Sequence, residues 1–330
     1  MMAYCKIKKY INLKGDRVQV HVEKAVYLVK WKTRKMVSNI CKEPLELSKI
    51  HGKILSDYET NKVLAEAVQA GVPFMAGRYG ASELNLLWRV KDNNNGFDFE
   101  HEKALAQLHQ FSGFFPCEDK MCYEFAKIMK DSSSEMDLCA VWGITMEDYV
   151  LKKWGKSPQL CNLSGLEPFF VNNPWTKSLR GKKVLIIHPF KDTILRQYEK
   201  RENLFGEKEI LPEFDLKVLR AVQTIAGNRD SRFNNWFEAL EYMYKEAMKI
   251  DFDVAIIGCG SYGFPLAAML RKSGKIAVHM GGATQLLFGI KGRRWEEREQ
   301  FKAIMNDYWV RPDESEVPQN AVTVENGCYW

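Results

Sequence analysis

Short runs of apolar residues alternate with longer amphipathic stretches along most of this chain. The runs FMAG (74–77), VLIIH (184–188) and VAIIG (254–258) are short and almost uniformly apolar. Strands that are buried on both faces, as in a parallel sheet covered by helices, have this composition. Because such runs alternate with helical patterns, the sequence predicts an α/β fold with a largely parallel, doubly wound, Rossmann-like sheet and helices on both faces.

Periodicity and end signals place the individual elements. Helices are predicted over 57–70, 100–112, 118–130, 146–154, 193–205 and 231–250, and from 264 to 274. Further strands are predicted over 137–142, 216–224 and 276–282. In the first helix, Asp57 is the predicted N-cap and Gly71 the residue that ends it.

The positive charge of the chain is concentrated at its N-terminus. The 330 residues carry a formal charge of +6. Residues 1–53 hold 13 Lys and Arg against 4 Asp and Glu, a net of +9, so the remaining 277 residues sum to −3. A body of this charge does not favour a nucleic-acid partner.

The distribution of charge and pattern predicts a basic N-terminal segment (1–54) and an α/β domain (55–330) with sub-blocks 55–173 and 174–330. In the basic segment, VQVHVEKAVYLV (18–29) begins as an alternation of apolar and polar residues, which predicts a strand. Two interpretations stay open: a solvated edge strand or arm, and a surface that meets anionic lipid or a partner chain.

The expected compartment is the cytoplasm, with a peripheral position at the inner membrane face as a further option. The N-terminus lacks the apolar region of a signal peptide, and no apolar run approaches 18 residues. The eight cysteines form no CxxC pair, so neither a structural zinc site nor a disulfide framework is expected. The sequence leaves the oligomeric state open.

Polar and glycine-rich segments follow the predicted strands. Ligands of open α/β sheets bind beyond the carboxyl ends of the strands, so these segments are the candidate site. They are residues 78–83, 142–145, 188–191, 223–229, 258–263 and 279–284.

The segment Gly258-Cys-Gly-Ser-Tyr-Gly263 matches GxGxxG between a strand and a helix. Glycines in this position let backbone N–H groups approach a phosphate at a helix N-terminus. A nicotinamide dinucleotide also needs an acid at the end of the next strand, and no Asp or Glu occurs between Asp253 and Glu296. Three interpretations stay open: a diphosphate or other anion site, an NAD(P) site, and a tight strand–helix turn.

The segment Arg78-Tyr-Gly-Ala-Ser-Glu83 contains a cation, a turn glycine at Gly80, and an acid in the first turn of a helix. One interpretation is an ordinary pair, with Glu83 favourably placed at the positive end of the helix dipole. In the other, Glu83 holds a metal or acts as a base while Arg78 contacts phosphate oxygens in a bidentate way, through two of its guanidinium nitrogens.

Further candidates follow the later strands. His188 and His279 each end an apolar strand, where a histidine serves either as a core residue or as a ligand contact. Gly281 and Gly282 offer N–H groups, and Lys291, Arg293 and Arg294 offer three cations, as an anion site or as a solvated basic turn. The aromatic tail VENGCYW is expected to dock onto the body of the protein.

These residues carry a resemblance to a known family. The stretch FMAGRYGASEL resembles the R-[FY]-G-D-G-E-L-like motif of bacterial glycosyltransferases with the D fold, and 253–282 resembles their C-terminal strand–glycine–helix–strand unit. The block 174–330, with HPF, LPEF, GGATQLLFGIKGRRW and GCYW, is similar to uncharacterised bacterial proteins associated with surface-polysaccharide genes. The resemblance covers roughly residues 55–330.

The resemblance implies transfer of a sugar from a nucleotide-diphosphate donor to an acceptor, a hexosyltransferase type of activity. It also implies a divalent metal, manganese or magnesium, held by an Asp-x-Glu motif. Here Ala81 stands at the Asp position, so only Glu83 of the motif is present and metal dependence is in doubt. Without a metal, cations and glycine N–H groups would neutralise the leaving diphosphate.

The sequence therefore predicts a glycosyltransferase with a nucleotide-sugar donor and a glycan or lipid-linked acceptor, in surface-polysaccharide biosynthesis. Glu83, Arg78 and His188 are the predicted catalytic residues, with Glu83 also the metal ligand if there is one. Gln223 and His279 are predicted on the acceptor or sugar side. The predicted diphosphate contacts are Gly80, Gly258, Gly260, Gly263, Gly281, Gly282, Lys291 and Arg293. The alternatives are an NAD(P)-dependent sugar-modifying enzyme and a non-catalytic nucleotide-sugar-binding module.

Overall fold

The structure, a computed structural model, describes residues 16–206 and 208–330. Its centre is a sheet of seven strands in the spatial order β3-β2-β1-β7-β6-β4-β5. The strands are β1 (Phe74–Gly77), β2 (Leu138–Val141), β3 (Gln159–Asn162), β4 (Lys183–His188), β5 (Asp215–Arg220), β6 (Val254–Ile257) and β7 (Ile276–His279).

Every pairing between these seven strands is parallel. The pairing of β1 with β7, which aligns Ala76 with Val278, joins the strands of residues 55–173 to those of 174–330. The predicted α/β class with a parallel sheet is confirmed. The division into a basic segment and two sub-blocks remains a prediction.

Successive side chains of each strand enter two separate cores. Ile186 and Ile256 point into one core, whereas Leu185, Ile187 and Ile257 point into the other. All five side chains are buried because helices cover both faces of the sheet. This explains the uniformly apolar runs and confirms the predicted doubly wound arrangement.

Fourteen α-helices are assigned in the described residues. The helices that precede β4 in the chain are α1 (Asp16–Cys41), α2 (Leu47–His51), α3 (Asp57–Ala70), α4 (Ala81–Leu87), α5 (Glu102–Ser112), α6 (Asp119–Ser133), α7 (Glu147–Trp154) and α8 (Leu163–Leu166). The helices that follow β4 are α9 (Lys191–Tyr198), α10 (Arg201–Leu204), α11 (Trp236–Met248), α12 (Gly263–Lys272), α13 (Arg293–Glu296) and α14 (Glu299–Lys302).

Short 3₁₀ helices lie in the connections. They span Pro168–Phe170, Trp175–Leu179, Ile225–Gly227, Gly260–Tyr262, Gly281–Phe288, Glu314–Glu316 and Ala321–Thr323.

Helix ends follow local capping chemistry. The N-cap of α3 is Ser56, whose side chain accepts from the Glu59 N–H while the Glu59 carboxylate accepts from the Ser56 N–H. The predicted N-cap Asp57 is therefore wrong by one residue, because this reciprocal pair needs Ser and Glu three positions apart. Gly71 ends the helix in the left-handed conformation, at φ 66°, as predicted.

Other boundaries shift for similar reasons. The helix predicted over 231–250 begins only at Trp236, because the Asn235 side chain caps it by accepting from the Glu238 N–H. The helix predicted over 193–205 is divided into α9 and α10. The edge strand β3 was not predicted, since its four residues QLCN give no regular pattern.

The strand predicted over 18–29 is wrong, because these residues belong to the 26-residue helix α1. The alternation that suggested a strand covers only a few residues. Over a longer window Leu28 and Trp31 recur at helical spacing on the side that faces the body, and Trp31 Nε1 donates to the Gly143 carbonyl at 3.1 Å. None of the described helices is long and apolar enough to cross a membrane.

Candidate functional site

A pocket opens where the carboxyl ends of the strands meet. Segments that follow six strands, all except β3, contribute to its lining, together with residues near the C-terminus. The chain continues from β4 to β5 towards one edge of the sheet and from β6 to β7 towards the other edge. Because β4 and β6 are neighbours in the sheet, the pocket includes a topological switch point. Ligands of open α/β sheets bind at such points.

Arg78 directly follows β1 and brings a guanidinium into this pocket. No described carboxylate lies within 4.0 Å of it; its contacts are the face of the Trp142 ring, 5.4 Å from the ring centroid, and the Tyr79 carbonyl at 3.4 Å. A Cβ added to Gly281 would come within 2.4 Å of Arg78 Nη2. Arg78 is therefore a partly buried cation, unpaired with any described carboxylate, against a glycine backbone, an arrangement suited to an anionic ligand.

Glu83 lies in the first turn of α4 and is 7% exposed. Its carboxylate folds back over Gly80, where a Cβ would come within 2.0 Å of one carboxylate oxygen. Burial raises the pKa of Glu83, although its own backbone N–H, Arg78 and Ser112 act in the opposite direction. A carboxylate with a raised pKa beside a ligand cavity can serve as a proton acceptor.

The glycines after β6 allow close packing at the base of the pocket. A Cβ at Gly258 would lie 2.6 Å from the Gly281 carbonyl oxygen, and 2.8 Å from both the His188 ring and the Thr284 side chain. Gly260 has a φ of +58°, in the left-handed region that favours glycine. The segments after β4, β6 and β7 thus meet because Gly258 has no side chain.

The remaining predicted glycines divide into two groups. Gly281 and Gly282 line the pocket, and a Cβ at Gly282 would meet the Tyr329 ring at 2.5 Å. Gly263 is outside the lining; a Cβ there would meet the His279 ring at 2.3 Å. The third glycine of the GxGxxG segment therefore makes room for a histidine.

His188 and His279 both line the pocket and are neutral at neutral pH. Burial lowers the pKa of His188 to about 3, and its Nδ1 accepts from the Phe190 N–H at 3.1 Å, which leaves the proton on Nε2. Burial and the neighbouring Arg78 lower the pKa of His279 to about 3. Both rings can bind a ligand by hydrogen bonds but contribute no positive charge.

Two buried nitrogens of the lining have no hydrogen-bond partner in the described part of the chain. They are His279 Nδ1 and Trp330 Nε1. Buried polar groups are nearly always paired in folded proteins, so these two nitrogens are exceptions, and His279 Nδ1 lies on the side of Gly263, where an added Cβ would come within 2.4 Å of it.

The C-terminal residues form one wall of the pocket, as the predicted docking of the tail requires. Tyr329 and Trp330 line it, and the Arg294 guanidinium donates to both Tyr329 Oη and the Glu325 carboxylate. Farther back along the segment, the Glu316 carboxylate accepts from the Asp192 N–H at 2.7 Å, at the start of α9.

Two of the three other predicted cations lie outside the pocket lining. Arg293 is exposed and pairs with Glu297 at 2.9 Å, and Lys291 is also absent from the lining. Arg294, the third cation predicted in this stretch, does line the pocket, although its charge is already matched by Glu325. Gln223, predicted on the acceptor side, does line the pocket.

Several lining residues belong to the predicted candidate segments but are not predicted individually as site residues. Trp142 follows β2, and its Nε1 donates to the Tyr79 carbonyl at 3.1 Å, which fixes the ring beneath Arg78. Thr224 and Tyr262 share a hydrogen bond of 2.7 Å between their hydroxyl oxygens. Only their position just after a strand indicates Trp142 and Thr224, whereas Tyr262 lies inside the GxGxxG segment, of which only the glycines are predicted as contacts.

The lining does not provide the ligands that a divalent cation prefers. Its described carboxylates are Glu83, which is buried and folded over Gly80, and Glu325, which is paired with Arg294. Across the described part of the chain, no group of three or more His, Cys, Asp or Glu is placed to hold a metal. Manganese and magnesium favour several oxygen ligands, so these residues do not fit a protein-held metal.

Comparisons with known proteins give two solved structures. Both are 14% identical to this chain, cover about 70% of it and 78% of their own length, and align with a TM-score of 0.41. One is described by the words "The highly conserved domain of unknown function 1792 has a distinct glycosyltransferase fold", the other as the selenomethionine-substituted structure of the same domain. No protein-family model and no curated protein matches. The activity of this chain therefore has to be inferred from its own pocket.

Proposed function

We propose that this protein is a glycosyltransferase that takes a sugar from a nucleotide-diphosphate donor. The observation that carries the proposal is the Arg78 guanidinium, which has no described carboxylate partner and lies against Gly281 at the carboxyl edge of the sheet. Gly258 and Gly260 bring further backbone to the same place. The similarity of the segments 74–84 and 253–282 to the D-fold glycosyltransferases supports the same conclusion.

In the proposed reaction the diphosphate lies against Arg78 and the backbone of the two glycine segments. An acceptor hydroxyl attacks the anomeric carbon and gives its proton to Glu83, while the bond from that carbon to the diphosphate oxygen breaks. Arg78 then stabilises the negative charge that develops on the leaving diphosphate. His188 and His279, both neutral, would hydrogen-bond to the sugar or to the phosphate oxygens.

The proposed reaction uses no protein-held metal. The reason is the set of side chains in the lining, where Ala81 occupies the position of the family's Asp and Glu83 is the one carboxylate of the lining not paired with a cation. In this proposal Arg78 supplies the positive charge that a metal ion would otherwise bring to the leaving diphosphate. Binding of the donor is therefore expected to be the same with EDTA as with manganese.

The size of the pocket adds a requirement. Its cavity measures about 180 Å³, whereas ligand pockets usually measure roughly 300–1,000 Å³. The cavity accommodates a sugar or a diphosphate but not a whole nucleotide sugar. The proposal therefore includes a displacement of the C-terminal wall, which carries Glu325, Tyr329 and Trp330.

A thermal-shift screen of nucleotide-diphosphate sugars tests the binding part of this proposal. At a donor concentration about 100-fold above Kd, we expect a matching donor to raise the melting temperature by roughly 2–4 °C. The rise should be equal in EDTA and in manganese. NAD(P) serves as the comparison ligand, because β7 ends in His279 and provides no acid for a ribose. Stabilisation by NAD(P) alone would favour the alternative of an NAD(P)-dependent sugar-modifying enzyme over the glycosyltransferase.

A further inference from the structure

The exposed apolar side chains of this protein are concentrated on the helix α1. Of the thirteen large apolar residues that are well exposed among those described, six lie on this one helix. Their exposed fractions range from 44% to 72%, and they are Val22, Val26, Val29, Met36, Val37 and Ile40. Single exposed apolar residues are normal, but a set on one helix indicates an interaction surface.

These residues form a continuous stripe. Val22, Val26, Val29, Met36 and Ile40 are separated by steps of four, three, seven and four residues, which place them on one side of a helix that turns 100° per residue. From Val22 to Ile40 the stripe extends about 27 Å at a rise of 1.5 Å per residue. We call the six residues the apolar stripe.

The opposite side of α1 is attached to the body. Lys24 is fully buried, and its Nζ lies 2.5 Å from an Asp98 carboxylate oxygen and 3.1 Å from the Val90 carbonyl. Trp31 Nε1 donates to the Gly143 carbonyl, next to the pocket residue Trp142. These contacts fix the rotation of the helix, so the apolar stripe faces away from the body.

Lysines border the apolar stripe on both sides. At 100° per residue Lys30 and Lys32 lie about 80° to either side of Val22, and both are exposed. No described carboxylate lies within 4.0 Å of Lys30, Lys32, Lys35 or Lys42. Between residues 22 and 42 the one acid is Glu23, which lies 3.8 Å from Lys153.

We propose that the apolar stripe docks on the surface of an anionic lipid bilayer. A helix that lies in the interface buries its apolar side among the acyl chains near the headgroups, while flanking lysines contact anionic headgroups. The stripe and its lysine borders match both requirements. A second copy of α1 fits less well, because it would add the same unpaired lysines with only Glu23 to oppose them.

Vesicle sedimentation with the full chain tests this inference. The probes are vesicles of phosphatidylcholine alone and vesicles with 30% phosphatidylserine. We expect binding to the anionic vesicles only, weakened by salt, and a loss of at least tenfold in affinity for the variant Val26→Asp/Val29→Asp. The matched control is Val72→Asp/Val322→Asp, which introduces the same charges at exposed valines outside the stripe and should bind like the wild type.

Circular dichroism and melting temperatures show whether the variants remain folded, which exposed positions should allow. The inference is overturned if the wild type binds neither kind of vesicle, or if the stripe variant binds anionic vesicles as tightly as the control. It is also overturned if light scattering finds a dimer that Val26→Asp/Val29→Asp dissociates without any vesicle binding, since α1 would then meet a second copy.

Discussion

Replacing Arg78 by alanine is expected to weaken the binding of a nucleoside diphosphate by about 100-fold. Hydrogen bonds from a cation to an anionic oxygen each contribute roughly 1.5–3 kcal/mol, and 2.7 kcal/mol corresponds to a factor of about 100 in Kd. No described carboxylate lies within 4.0 Å of Arg78, but its charge lowers the pKa of Glu83 and Glu167 against the rise caused by burial, so the melting temperature of Arg78→Ala is compared with that of the wild type. Calorimetric titration of the wild type and Arg78→Ala with the nucleoside diphosphate measures the difference in Kd.

Arg293→Ala is the matched control for Arg78→Ala. It removes the same type of side chain at a position outside the pocket lining, where Arg293 pairs with Glu297 in solvent. We expect its affinity to stay within about twofold of the wild type, since exposed ion pairs contribute little. Arg78→Lys should give an intermediate affinity, because lysine keeps the charge but loses the planar fork. Equal affinity of Arg78→Ala and Arg293→Ala would remove Arg78 from the site.

The second large effect is expected for Gly258→Ala, through stability. The added methyl group would lie 2.6 Å from the Gly281 carbonyl oxygen and 2.8 Å from His188 and Thr284, so the backbone segments that follow β6 and β7 have to move apart. Overpacking of this kind costs about 1–3 kcal/mol. Because the methyl group would meet backbone atoms, we expect the free energy of unfolding to fall by about 3 kcal/mol, as measured by unfolding in urea.

Gly77→Ala is the control for this substitution. Gly77 ends β1, which lies on the other side of β7 from β6, and a methyl group there would meet its nearest atom, the His279 Cβ, at 3.4 Å. Neither Gly77 nor Gly258 has a positive φ, so the two variants differ in contact and not in backbone conformation. Gly77→Ala should change stability by less than about 1 kcal/mol. A similar loss for both variants would mean that the close contact of the β6 and β7 segments is not what requires Gly258.

The sheet and the edge that carries the pocket could be predicted from the sequence, and for the same reason. Strands such as 184–188 and 254–257 are buried on both faces, so they are apolar throughout and easy to recognise. Once the strands are parallel, the segments that follow them must meet. Arg78, Glu83 and Gly258 were therefore placed in one pocket without any knowledge of side-chain positions.

The identity of the lining cations could not be predicted. Lys291, Arg293 and Arg294 are near neighbours in sequence, and which of them faces the pocket depends on the rotation of the four-residue helix α13. Arg294 turns inwards and Arg293 outwards. Short helices of this kind are fixed by tertiary contacts and carry no periodic signal of their own.

The helix α1 shows a different limit of prediction from the sequence. Its apolar residues lie on two sides, with Leu28 and Trp31 against the body and the apolar stripe in solvent. A helix that is apolar on two sides has no single amphipathic pattern, so the local alternation at its start predicts a strand instead. Only the contacts of Lys24 and Trp31 show which side is buried.

The central claim is that the pocket transfers a sugar from a nucleotide-diphosphate donor with Glu83 as the proton acceptor. The measurement that tests it most directly is the release of nucleoside diphosphate from the donor that stabilises the protein best, with water or an added glycan as acceptor. We expect release by the wild type in the presence of EDTA. Glu83→Gln should bind the donor within a few-fold of the wild type but release it about 100-fold or more slowly, as general-base catalysis contributes roughly 10²–10⁴. Tight binding with equal release by the wild type and Glu83→Gln would contradict the role of Glu83, and binding with no release from any donor would show a non-catalytic binding module.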